Sequence, residues 1–180
     1  MPTNQIIQYP DLLQLLDLPV DKRASSLRMV FDRDVTNNAS LCFRGKRVYP
    51  IKSDGELEMS REFRHLVTKE YNADPGRSID MQRAMRLHWI RPHIEEKVSD
   101  AHVEVFSVKE RFKKYNMDVI RTYIYNVDKK YVVVLEPKER TLPDGTIFKY
   151  YFLLTAYYLD YEYAPKQMEK KMKQKLPSVV

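Results

Sequence analysis

A single cysteine, Cys42, in 180 residues leaves no internal disulfide and no cysteine-rich zinc site. Four glycines in the whole chain speak against a phosphate-cradling loop, and neither a Walker nor a dinucleotide-binding motif is present. The four histidines, His65, His88, His93 and His102, are scattered and form no HExxH pattern, so neither a metal nor another cofactor is expected. No run approaches the roughly 18 apolar residues of a membrane-spanning helix. The opening stretch MPTNQIIQYPDLLQLLDLPV lacks the basic start and unbroken apolar run of a signal peptide. The expected compartment is therefore the cytoplasm, with no membrane partner.

What is present is a core and an excess of positive charge. Hydrophobic residues make up 43% and charged residues 31%, enough apolar material for one domain or one domain with an accessory piece. The net charge of +6 is uneven. Residues 1–72 carry 11 Lys and Arg against 10 Asp and Glu, whereas residues 73–180 carry 20 against 15. Such an excess steers polyanions to a surface.

Periodicity predicts short helices over 11–18 and 22–31, a strand–turn–strand over 40–51 around Gly45, a turn over 53–55 and a helix over 58–71. The Asp-Pro-Gly segment within 72–78 reads as the main boundary, with Ser78 as an N-cap for the next helix. It divides an accessory region, 1–72, from a main domain, 73–180. A helix over 79–98 carries Leu87, Ile90, Ile94 and Val98 on one stripe, with Pro92 as a kink. Strands follow over 103–108, 119–127, 131–135 and 150–159, with a hairpin turn at 142–146, and a Lys-rich helix closes at 164–176. The expectation is an α+β fold: an antiparallel sheet of about four strands, helices packed on one face, and a smaller N-terminal α/β extension.

Two places carry candidate chemistry. On the 79–98 helix, His88 and Glu95 share one flank with Arg91 beside the core, and Arg86, His93 and Lys97 share the other. An imidazole there could move a proton and an arginine could clamp a phosphate. The bland alternative is a solvated flank with an Arg91–Glu95 pair. In the strands, alternation puts Arg121, Tyr123 and Tyr125 on one face and Tyr151, Leu153, Thr155 and Tyr157 on what could be the same face. Tyrosine and arginine on an open sheet suit base stacking and phosphate holding, although strand tyrosines are also commonly structural. Lys170, Lys171 and Lys173, flanked by Lys166 and Lys175, give a cationic stripe that could equally be a solvated helix end.

The run RLHWIRPHIEE at 86–96, then VIRTYIYN at 119–126, YVVVLEPKE at 131–139 and YYFLLTAYYLDY at 150–161, resembles the nuclease domains of the barnase–EndoU–colicin E5/D–RelE superfamily, in its phage and mobile-element branch. The resemblance covers about residues 79–176. It implies a metal-independent endoribonuclease in which a 2′-OH attacks the adjacent phosphate. It implies His88 or Arg91 on the helix, Arg121 on a middle strand, and Thr155 with Tyr157 on the last strand as the catalytic set. His88 would transfer the proton, Arg91 and Arg121 hold the phosphate, Thr155 orient it, and Tyr123 or Tyr157 stack a base or donate a proton. Tyr123, Arg86, His93, Lys170, Lys171 and Lys173 are the expected RNA-binding residues. The implied partners are RNA, such as tRNA or mRNA, and an inhibitor protein if the chain is toxin-like. The alternative is a non-catalytic RNA-binding or protein-interaction module of a mobile element. Arg121 also has a structural alternative, pairing with Glu95 or Glu136.

Overall fold

Runs rich in β-branched and aromatic residues produce the largest feature of the computed structural model, which describes residues 3–37, 39–50, 60–71, 74–112, 116–160 and 163–180. Strands β5 (Val103–Phe112), β6 (Met117–Asn126), β7 (Tyr131–Thr141) and β8 (Ile147–Tyr158) pair antiparallel in succession. The turn from β7 to β8 uses Gly145 at φ 83°, a conformation that costs glycine nothing.

The sheet does not stop at four strands. A short hairpin, β1 (Cys42–Phe43) and β2 (Lys46–Pro50), turns through Arg44 and Gly45, both at positive φ, as a two-residue hairpin loop requires. β2 then lies parallel to β8, with Val48 opposite Tyr151 and Pro50 opposite Leu153. The result is a mixed six-stranded sheet in the order β1-β2-β8-β7-β6-β5. This corrects the expected four-stranded antiparallel sheet. The hairpin assigned to the accessory region hides Val48 and Pro50 by docking on the open edge of β8.

Helices pack on both faces, not one. α1 (Val20–Phe31), α2 (Ser60–Val67), α3 (Met81–Ala84) and α4 (Ile90–Ile94) share a core with the inner sheet face, where Leu27, Phe31, Leu66 and Ile90 meet Ile124, Val133, Leu135 and Leu153. That core draws on residues either side of the 72/73 boundary. α5 (Tyr163–Lys173) lies on the outer face, and its Met168 packs with Phe106, Tyr123, Tyr125, Val132 and Val134.

Several local expectations change for identifiable reasons. Residues 11–18 form no helix: the Asp11 carbonyl accepts from His88 and Trp89, and the Leu13 amide donates to the Met85 carbonyl. Their backbone groups are thus used against the 85–89 segment. The helix expected over 58–71 ends at Val67, where the Thr68 hydroxyl donates to the Arg64 carbonyl at 2.6 Å. β3 (Thr68–Tyr71) then pairs with β4 (Asp74–Ile79) in a separate two-stranded sheet. The turn expected at 53–55 lies outside the described residues. The N-cap of α3 is Asp80, which accepts from the Arg83 amide, rather than Ser78. The 79–98 helix is broken upstream of Pro92. A 3₁₀ turn at Leu87–Trp89 intervenes, so that Leu87, His88, Trp89 and Ile90 all turn inward, at 1–3% exposure. A regular amphipathic helix cannot bury four consecutive residues against one face. Pro92 itself sits in the first turn of α4, where no helical N–H is lost.

Candidate nucleic-acid interface

The strand register decides which side chains meet. Tyr123, Val134 and Thr155 lie in one row across β6, β7 and β8, and Tyr125, Val132 and Tyr157 in the next. Arg121 is two residues from Tyr123 on the same strand. Arg121, Tyr123, Tyr125, Thr155 and Tyr157 therefore do share the outer face. Tyr151 and Leu153 do not. A bulge shifts the β7–β8 register, with Val134 opposite Thr155 but Leu135 opposite Leu153. The extra residue, Leu154, reverses the alternation, so Tyr151 and Leu153 face the inner core.

His88 and Arg91 belong to the segments packed on the inner face. The proposed catalytic five thus divide across the sheet: His88 and Arg91 on one side, Arg121, Thr155 and Tyr157 on the other. His88 is 3% exposed. Its Nε2 lies 2.9 Å from the Asp11 carbonyl, and burial pushes its pKa down to about 4. It is a neutral, structural imidazole at pH 7. Arg91 donates to Glu95 at 3.1 Å, the pairing that the spacing suggested, and Lys97 joins the same carboxylate at 2.7 Å.

His93 is likewise a core residue and not an RNA contact. Its Nδ1 donates to the Trp89 carbonyl at 2.7 Å, and its Nε2 accepts from the Asn126 amide at 3.1 Å. Burial lowers its pKa to about 4. Arg86 lies over the Tyr158 ring at 4.1 Å and the Trp89 ring at 5.3 Å, which spends its cationic face on aromatic packing.

On the outer face, the covered half is closed by an ion-pair cluster. Glu110 on β5 accepts from Arg121 at 3.2 Å and from the Tyr123 hydroxyl at 2.6 Å, and Lys171 of α5 pairs with the same carboxylate. Burial alone drives the Glu110 carboxyl upward, but Lys171, Tyr123 and Arg121 outweigh it and hold the group below its ordinary value. Arg121 thus pairs with a carboxylate, though with Glu110 and not with Glu95 or Glu136. Tyr123 is 3% exposed, so it offers no ring to a base. Tyr157 is partly covered, lies under Arg83 at 5.9 Å, and is pushed up by burial to about 12. Lys171 points into this cluster; Lys170 and Lys173 stay exposed.

The open half of the outer face was not singled out in the sequence. There β2, β8 and β7 present Arg47 and Tyr49, then Phe148, Tyr150 and Phe152, then Arg140. The rings form a chain: Tyr49 to Tyr150 at 5.6 Å, Phe148 to Tyr150 at 5.7 Å and Tyr150 to Phe152 at 5.4 Å between centroids. Arg47 lies over Tyr49 at 5.4 Å and Arg140 over Phe148 at 5.1 Å. Among the described residues neither arginine has a carboxylate partner, and Arg47 Nε is buried without a hydrogen bond. The strip lines a groove of about 500 Å³. A readable signal existed: Phe148, Tyr150 and Phe152 recur at the strand period.

Among the described residues no three His, Cys, Asp or Glu side chains gather as metal ligands, and no helix is long and apolar enough to cross a membrane. Comparison with protein-family models, with curated proteins and with solved structures finds no match to this chain.

Proposed function

We propose that the protein binds single-stranded RNA along the open half of its outer sheet face. The observation that carries this reading is the strip of four aromatic rings flanked by Arg47 and Arg140, two guanidinium groups with no carboxylate partner among the described residues. Unpaired bases stack on such rings, and each stack contributes about 1–3 kcal/mol. Bases within a duplex are already stacked and unavailable, which favours a single strand. The net charge of +6 supplies the long-range attraction. This is the binding-module reading of the sequence, and inactive members of the nuclease superfamily that the chain resembles would have this property.

Cleavage is the rival reading. It needs a proton-transfer group within reach of a phosphate held on the same surface. His88 does not meet that requirement from the inner side of the sheet with a depressed pKa. Fluorescence anisotropy with a short unstructured RNA tests the proposal. Tyr150→Ala should weaken binding roughly 5- to 150-fold, the equivalent of one lost stack. Arg47→Ala should lower the dependence of affinity on salt by about one phosphate contact. Undiminished binding by both variants, or none by the wild type at low salt, refutes the assignment. Incubation of the RNA with the protein and EDTA decides between the two readings. Products ending in 2′,3′-cyclic phosphate would establish the nuclease.

A further inference from the structure

A second cleft, of about 680 Å³, lies apart from the RNA strip. It lies beside His88 and Arg91, between the 3–9 segment, the end of α1 and the start of α4. We propose that this cleft binds a nucleoside 5′-monophosphate unit, either free or as the phosphorylated 5′ end of an RNA. The inference does not rest on the groove described above.

The rim is held in place. Asn4 donates to the Ser26 hydroxyl at 3.0 Å and accepts from the Gln14 amide at 2.7 Å. Arg33 donates to the Gln5 carbonyl at 2.5 Å. Arg33 and Asp34 come from a π-helical turn, Asp32–Thr36, at the end of α1. Such turns are uncommon and often lie at functional sites.

The charged wall leaves a surplus of donors. Both of its carboxylates are already engaged: Asp34 by Arg33 at 2.5 Å, with Arg91 at 3.9 Å, and Glu95 by Arg91 and Lys97. Three cations face two satisfied anions. The remaining hydrogen-bonding capacity of Arg91 and Lys97, whose side chains are 39% and 67% exposed, is all donor. A phosphate monoester is the complement of such a wall.

Two polar atoms on cleft-lining residues are buried with no hydrogen bond: Gln5 Nε2 and His88 Nδ1. His88 donates from Nε2 to Asp11 and is neutral at pH 7, so its Nδ1 is an acceptor. Gln5 Nε2 is a donor. Buried polar groups are ordinarily paired, and two orphans in one wall call for a partner. A donor and an acceptor on residues lining one cleft match the mixed hydrogen-bonding edge of a nucleobase. Ile6, Ile7, Tyr9 and Pro92 supply apolar surface for the ring. The volume falls within the range of small-molecule sites, roughly 300–1,000 Å³.

Calorimetry on the full chain tests this with four nucleoside monophosphates, their nucleosides, and inorganic phosphate. A monophosphate should bind at least 10-fold more tightly than either its nucleoside or phosphate alone. Arg91→Ala should reduce its affinity to that of the nucleoside. His88→Gln keeps a donor for the Asp11 carbonyl but moves the acceptor away from the Nδ1 position, and should reduce affinity about 10-fold. Gln5→Met, on the rim, gives the same loss without touching the core, which keeps the test intact if His88→Gln fails to fold. RNA octamers with 5′-phosphate and 5′-hydroxyl ends identify the source of the ligand. A preference for the phosphorylated end that Arg91→Ala abolishes assigns the cleft to RNA ends, and tight binding of free monophosphates assigns it to nucleotides; either supports the proposal. Phosphate binding as tightly as the monophosphates, wild-type affinity in both Gln5→Met and His88→Gln, or no binding by any ligand would overturn it.

Discussion

The two faces of the sheet are built from the same strands and alternate residue by residue, yet they serve different ends. The inner face is a continuous apolar layer in which Ile124, Val133, Leu135 and Leu153 are 0% exposed. Its polar residues are locked into it, as Asn126 and His93 are to one another. The outer face is divided. α5 covers the part over β5 to β7 and is pinned by Glu110, and the part over β2 and β8 carries aromatic rings and arginines toward solvent. A side chain's role therefore follows from its face and its half, more than from its residue type. Tyr123 and Tyr150 are both strand tyrosines on the outer face, but only Tyr150 has ring surface to offer.

Deleting Leu154 should break this comparison most completely. The bulge residue sets which β8 side chains face inward, and a one-residue slip exchanges the two faces. Without it, either Thr155 and Tyr157 or Tyr151 and Leu153 must change sides. The expected outcome is loss of the cooperative unfolding transition, followed by circular dichroism during urea titration. A cooperatively folded deletion variant would mean that register is set elsewhere.

Acid should act on the inner side next. His88 and His93 have folded-state pKa values of about 4 against about 6.5 in an unfolded chain. The unfolded state then binds more protons between these values, so stability rises with pH across that window. The contribution is fully present above pH 6.5 and is lost as pH falls toward 4, on the order of 3 kcal/mol per histidine. Denaturation midpoints measured from pH 7.5 to 4.5 should show the decline, and His93→Asn should flatten its share of it. A pH-independent midpoint would show that neither imidazole is held neutral.

The cluster under α5 should give a smaller effect. Arg121→Ala leaves Glu110 with Lys171 and Tyr123, so the loss should be about 1 kcal/mol. A loss of 3–5 kcal/mol, the range for stranding a buried charge, would mean that Arg121 is the principal counter-ion. Least of all, Tyr49→Ser in the open half should change stability by under about 0.5 kcal/mol while weakening RNA binding. A large drop in melting temperature would place Tyr49 in the packing instead of the interface.

How much of this was legible follows from the kind of signal. The long strands were readable because β-branched and aromatic runs such as YVVVL have few other uses, and the Arg121–Tyr123–Tyr125 face followed from simple alternation. The bulge at Leu154 has no local mark, so Tyr151 was placed on the wrong side. The 11–18 segment has helical spacing, but its carbonyls answer His88 and Trp89, a tertiary demand that no local pattern contains. The 79–98 stripe was periodic enough to suggest a helix, but the inward turn of four successive residues made His88 a core residue. The strip was missed because Arg47 and Tyr49 were set apart as accessory and the β8 strand was begun at Tyr150, two residues after Phe148.

The parallel pairing of β2 with β8 also sets an order of assembly. Val48 finds Tyr151 only after the whole span between them has been synthesised, and such distant contacts slow folding. As the chain leaves the ribosome, the first hairpin emerges with Val48 and Pro50 exposed and no strand to receive them. The sheet can close only when its last strand arrives. A stalled or shortened chain ending before Ile147 would leave that edge without its partner strand.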